Sequence, residues 1–244
     1  FPATAVHRVR QFAGRLVDRV AMTLPNNNDR IAAPNLPKLH DRDYHVESYR
    51  QGEDRMLLRG EVHDQKPPGV YFENDTEPLT VHHMVVDLVV EVPTMLFVEA
   101  KVVLETHPHS QCVSIEDHYD QLVGLSIARG FTHKVRELFG GPRGCTHTTA
   151  LLQAMAPVAV QSVWSMRSIA SNVQTVDAPT RKPTPAENRE RMSFNLNTCH
   201  VWVEDGPMFA TLDAGEDLEP PLWAVDRMEA LGLDYEAWSA RMRG

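Results

Sequence analysis

Two stretches near the middle of this 244-residue chain alternate apolar and polar side chains, and that alternation limits the fold more than any other feature. Strand side chains point to opposite faces with period two. Across residues 80–92, Met84, Val86, Leu88, Val90 and Val92 share one face with His82, while Val85, Asp87, Val89 and Glu91 share the other. Pro93 and Thr94 break the run. Across residues 95–106, Leu96, Val98, Ala100, Val102 and Leu104 form the apolar face, with Glu99, Lys101 and Glu105 toward solvent. A hairpin that buries both apolar faces on one side pairs even positions with even positions. That parity excludes a two-residue turn and predicts an odd-length loop. It sets His82 opposite Leu104 or Thr106, close to the segment that carries His107, His109 and Cys112.

The flanking segments extend this hairpin. Residues 44–50 and 55–64 read as strands joined at Gln51-Gly52-Glu53-Asp54, a turn composition. Ser114 suits a helix N-cap, with Glu116 and Asp117 in the first turn, and predicts a helix over 114–128. Residues 132–139 form a second short helix. A third starts at Cys145 and buries Leu152, Met155, Ala159, Val163 and Met166, with Pro157 expected to kink it. Residues 198–204 read as a strand, 208–212 as a return strand and 226–243 as terminal helices. The whole is an α+β fold: an antiparallel β-meander of three to five strands with helices packed on one face. Three regions are expected: an amphipathic helix and connector over 1–38, with the helix at 4–22; a core domain over 39–212; and a helical extension over 213–244. The loop 178–185 is rich in proline, arginine and lysine.

Composition narrows the function. A hydrophobic fraction of 42% with 23% charged residues is that of a globular protein. No apolar run approaches the roughly 20 residues that span a bilayer, and the lack of Trp in the stripe of the 4–22 helix argues against a membrane-surface role. A net charge of −9 makes the chain a poor binder of phosphate backbones, so nucleic acid is not an expected partner. The three cysteines form no disulfide framework, which suits a reducing cytoplasm. The chain opens at Phe1 rather than at a methionine, which leaves open whether residues precede it.

Chemistry concentrates where the elements meet. Cys145 follows a glycine loop at a helix N-terminus, where unpaired N–H groups favour a thiolate. His147 lies two residues on, and Cys112 follows the hairpin. With His82 these residues make two thiols and two imidazoles, a set that suits zinc or iron. Cys199 and His200 are further candidate ligands, with an inward strand Cys and an outward His as the plain alternative. His83 projects from the other strand face. Asp117, His118 and Tyr119 are candidates for general acid or base work, against a solvated helical turn. A thiol-based or metal-free site remains open for Cys112, Cys145 and His147.

Residues 81–166 resemble a bacterial family of domains of unknown function. The resemblance rests on His82-His83-Met84, Cys112, Leu122-Val123-Gly124, Gly144-Cys145-Thr146-His147 and Thr198-Cys199-His200, and extends over roughly 39–205. His83 and Thr148 depart from the pattern. The layout is also similar, more distantly, to the iron–sulfur cluster scaffold fold, with His82 in place of its first cysteine and Cys145 and His147 in place of its His-Cys pair. That exchange implies a single held ion rather than a labile cluster.

The expectation is therefore a cytoplasmic metal-dependent enzyme of lyase or hydrolase type. It would hold a divalent metal, zinc or iron, and act on a small organic substrate, with a homo-oligomer left open as its assembly. An aromatic substrate fits the Val, Met and Trp content, as does ordinary core packing. The alternatives are an iron–sulfur or sulfur carrier and a metal-free lyase or interaction domain.

Overall fold

The computed structural model describes residues 37–128, 130–173 and 184–234. The expected helix at 4–22, most of the 178–185 loop and residues 235–243 of the expected terminal helices lie outside those residues. Four antiparallel strands form one sheet in sequence order: β1 (Asp41–Gln51), β2 (Arg55–Lys66), β3 (Leu79–Glu91) and β4 (Leu96–Thr106). Among the described residues, the helices that touch the sheet lie on one side of it, so the α+β meander with helices packed on one face is the observed architecture. The α-helices among the described residues are α1 (Phe131–Phe139), α2 (Thr146–Val173), α3 (Pro185–Met192), α4 (Pro207–Asp213) and α5 (Leu222–Leu231).

Period-two alternation decides what the sheet buries. On β2, Met56, Leu58, Val62 and Asp64 are buried, and on β3 so are Met84, Val86, Leu88 and Val90. Against them α2 lays Leu151, Leu152, Met155 and Ala159, all at 0% exposure, with Val163 partly buried. Gly60 makes this close packing possible, because a Cβ there would stand 2.7 Å from the Met155 sulfur. Pro157 sits inside α2 on its exposed side, where the carbonyl it leaves unpaired can meet water.

The β3–β4 register departs from simple parity. Met84 pairs with Leu104 and Val86 with Val102, as expected, but the pairing shifts between Val89 and Val90, so that Val90 faces Phe97. This bulge lets a four-residue loop, residues 92–95, close the hairpin in place of an odd one. It also turns Phe97 inward at 1% exposure, where alternation placed Leu96 and Val98. A second shift between His83 and Met84 makes Thr106 the partner of His83. His82 is thus opposite neither Leu104 nor Thr106; it pairs with Asp64 on β2.

The helix expected over 114–128 is an 11-residue 3-10 helix, Cys112–Leu122, that stops six residues early. Gly124 then takes φ +86°, and residues 124–127 give their backbone groups to the start of β4. Gly124 N–H donates to the Phe97 carbonyl at 2.9 Å, Phe97 N–H to Leu125 at 2.9 Å, and Ile127 N–H to Met95 at 2.9 Å. Ser114 caps nothing; its hydroxyl donates to the Gln111 carbonyl. Glu116 reaches across to accept the Leu104 N–H at 2.7 Å. The strands expected over 198–204 and 208–212 are absent. A short 3-10 turn, His200–Trp202, and α4 stand there instead, and Gly206-Pro207 starts a helix where a hairpin turn was expected.

Candidate functional site

The site lies where the far end of the β2–β3 ladder meets the first turn of α2. Asp64 closes the buried side of β2, in the row begun by Met56, Leu58 and Val62, and is 1% exposed. A carboxylate in such a position must be paired. Arg42, directly across on β1, supplies both N–H groups of its fork: Nη2 donates to Oδ2 at 2.6 Å and Nε donates to Oδ1. His40 brings Nε2 to 3.5 Å from Oδ1.

Two imidazoles complete the group. His82, the β3 partner of Asp64, places Nδ1 3.3 Å from Oδ2, and His147 in the first turn of α2 places Nε2 3.0 Å from the same oxygen. Their rings stack with centroids 3.8 Å apart. The buried Nδ1 of His82 makes no hydrogen bond.

Burial would raise the Asp64 carboxyl, but the Arg42 fork outweighs it and holds the group at about 2. Burial lowers His82, helped by the neighbouring His147. It lowers His147 too, against the pull of Asp64. The set at neutral pH is therefore one carboxylate and two neutral imidazoles, the protonation states that metal binding needs.

Cys145 stands beside this group rather than in it. Its Sγ is 3.7 Å from Nδ1 of His147, and its carbonyl accepts the Thr149 N–H as α2 begins. The buried Tyr119 hydroxyl accepts the Cys145 N–H at 2.8 Å. Gly144 is required here, since a Cβ would meet the Phe139 carbonyl oxygen at 2.6 Å and the Tyr119 hydroxyl at 3.0 Å. Cys112 opens the 3-10 helix and, like Cys145, packs partly against the hydrophobic core.

Among the described residues, two clusters of three donors could hold an ion: Asp64, His82 and His147, and separately Glu61, His63 and His83. Neither includes a cysteine. Of the residues singled out in the sequence, the structure gathers His82 and His147, with Cys145 adjacent. Cys112 is in neither cluster. Cys199 is exposed and, with His200, belongs to a turn instead of a strand. Asp117 is exposed. His118 bonds to Gln121 and approaches the Leu138 carbonyl, and Tyr119 braces Cys145. Asp64, Arg42 and His40 escape a reading of motifs alone. Their signal was the carboxylate at a core-facing step of β2, which asks for a buried partner.

The fold and site define a single-sheet α+β domain with a carboxylate–diimidazole cluster between its central strands and its longest helix. The chain belongs to DUF2889, a family of proteins of unknown function, whose family model matches residues 40–161. That span runs from β1 into α2 and holds every residue of the cluster. No curated protein and no solved structure matches the chain. Among the described residues, no helix is long and apolar enough to cross a membrane.

Proposed function

We propose that the protein is a metal-dependent enzyme of lyase or hydrolase type acting on a small organic substrate, with Asp64, His82 and His147 as the ligand set. The observation that carries this reading is the convergence of two imidazole nitrogens, at 3.3 and 3.0 Å, on one oxygen of a buried carboxylate. Donors on a tetrahedral ion with bonds of about 2.0 Å stand about 3.3 Å apart. Two histidines and one carboxylate suit zinc or iron(II) and leave positions for water and substrate. An ion there would supply Lewis acidity or a hydroxide at neutral pH.

The chain's own residues set the terms. Arg42 fixes the carboxylate through both of its oxygens, as outer partners of metal ligands do. His40, 37% exposed, stands at the solvent edge, within reach of a proton to be moved. The stacked rings must turn apart to aim both lone pairs at one ion, and His82, with its Nδ1 unpartnered, loses no hydrogen bond in doing so.

Metal analysis of freshly purified protein tests this reading. About one zinc or iron per chain is expected, lost in Asp64→Asn and His147→Ala with the fold retained by circular dichroism. Metal content indifferent to both changes overturns it.

A second reading rests on a different alignment. The Cys145 thiol, the His147 ring and the Asp64 carboxylate stand in line, at 3.7 and 3.0 Å, the order of a nucleophile, its base and the group that orients the base. This supports a metal-free thiol enzyme. The iron–sulfur carrier has less support, since both donor clusters hold only nitrogen and oxygen.

A further inference from the structure

The two strands that present Asp64 and His82 to the helices carry three more donors on their opposite side. Glu61 and His63 are two residues apart on β2 and share its outer face, and the register sets His83 of β3 directly across from His63. One oxygen, Oε2 of Glu61, lies 3.2 Å from Nε2 of His63 and 3.2 Å from Nε2 of His83. The two rings are 3.8 Å apart and tilted by 31°. These separations again match the donor spacing of about 3.3 Å around a small tetrahedral ion.

Access and charge agree with this geometry. The side chains of Glu61, His63 and His83 are 30%, 36% and 23% exposed, so an ion can reach them from solvent. They stand on the sheet face opposite the one that α2 packs against. A shallow groove on that face is lined by Arg59, Lys101, Glu61, Asp87 and Glu105 beside His83. Two cations stand against three carboxylates there, one negative charge in excess. Arg59 is already committed to Asp87, at 2.8 and 2.7 Å, so it does not compete for Glu61.

We propose that Glu61, His63 and His83 form a second, solvent-facing binding site for a divalent transition ion of the zinc, nickel or copper(II) class. Two imidazoles and a carboxylate favour such ions over magnesium or calcium, and water completes the coordination. The site shares no residue with the Asp64 cluster. The body of the sheet separates the two, so an ion here does not share a substrate with one there.

The test is calorimetric zinc titration of the full chain, comparing wild type with His63→Ala/His83→Ala and with Asp64→Asn/His147→Ala. Cobalt(II) absorption is the second probe, and melting curves show that each variant is folded. The outer pair of changes removes about one equivalent of zinc, whereas the inner pair leaves that equivalent in place. Glu61→Gln, which keeps the side chain's shape, weakens the outer site roughly tenfold or more. Should the inner cluster bind no ion, wild type still shows the outer equivalent, so the two readings fail separately. Zinc uptake unchanged in both His63→Ala/His83→Ala and Glu61→Gln overturns the proposal.

Discussion

Asp64 and His82 face each other across the β2–β3 ladder, oxygen to nitrogen at 3.3 Å, without a hydrogen bond between them. A buried ring nitrogen without a partner costs free energy in the folded state. Removing that nitrogen should therefore cost little stability. In His82→Leu we expect stability within about 1 kcal/mol of wild type together with loss of bound metal. A large fall in melting temperature would mean that His82 serves the fold instead of an ion.

Arg42 is the main counter-charge of a carboxylate 2% exposed. Arg42→Ala leaves that charge buried and unpaired, at a cost of about 3 kcal/mol. Adding Asp64→Asn should recover part of the loss, because the charge is then gone. Urea denaturation of the two single variants and the double variant measures the coupling. Strict additivity would show that Arg42 contributes mainly packing.

Acid should destabilise the protein in two stages. Burial lowers His82 and His147 below the ordinary 6.5, so the unfolded chain takes up protons first, and stability drops as pH falls from 6.5 through the folded values. Asp64 is held at about 2 against 3.8 when free. Its contribution, about 2 kcal/mol, is intact above 3.8 and disappears as pH falls toward 2. Melting temperature followed across the acid range should show both stages in wild type and lack the lower one in Asp64→Asn.

Cys145 separates the two catalytic readings. If a metal does the chemistry, Cys145→Ser keeps the ion and most activity, and chelation abolishes turnover. If the thiol is the nucleophile, the same change costs activity by at least about a thousandfold, and chelation has no effect. Turnover on one substrate, measured in both conditions, decides between them.

Gly144→Ala forces a methyl group against the Phe139 carbonyl and the Tyr119 hydroxyl. Neither can move without disturbing α1 or the bond that Tyr119 receives from Cys145. The expected loss is about 1–3 kcal/mol, with a shift of Cys145 visible as altered alkylation kinetics. Wild-type melting and alkylation would show that the α1–α2 connection yields easily.

Much of this fold was legible because alternation is a strong constraint where one sheet face is buried. Met84, Val86, Leu88 and Val90 went inward as their spacing demanded, and so did Leu152, Met155 and Ala159 on α2. What alternation cannot show is an inserted residue. The bulges on the β3–β4 ladder decided which residue faces His83 and why Phe97 is buried, and neither leaves a signature in composition. Backbone bonds to β4 likewise ended the helix after Leu122. In the site, His82 and His147 stood out as residue types, but Asp64 and Arg42 acquire meaning only once β1 is paired with β2. Cys112 and Cys199 drew attention as thiols, and packing and exposure gave them other surroundings.

β1 turns most of its side chains to water. Its anchors are its main-chain ladder, partly buried Val46, the Ser48–Ser162 hydroxyl contact and the grip of Arg42 on Asp64. Strand fraying is therefore an ionisation event as well as a mechanical one. Each time this edge lets go, Asp64 loses its guanidinium, and the neighbouring imidazoles, freed from the repulsion of Arg42, bind protons more tightly. Amide exchange along β1 should thus report how often the cluster changes its electrical character, even while the helices above it stay closed.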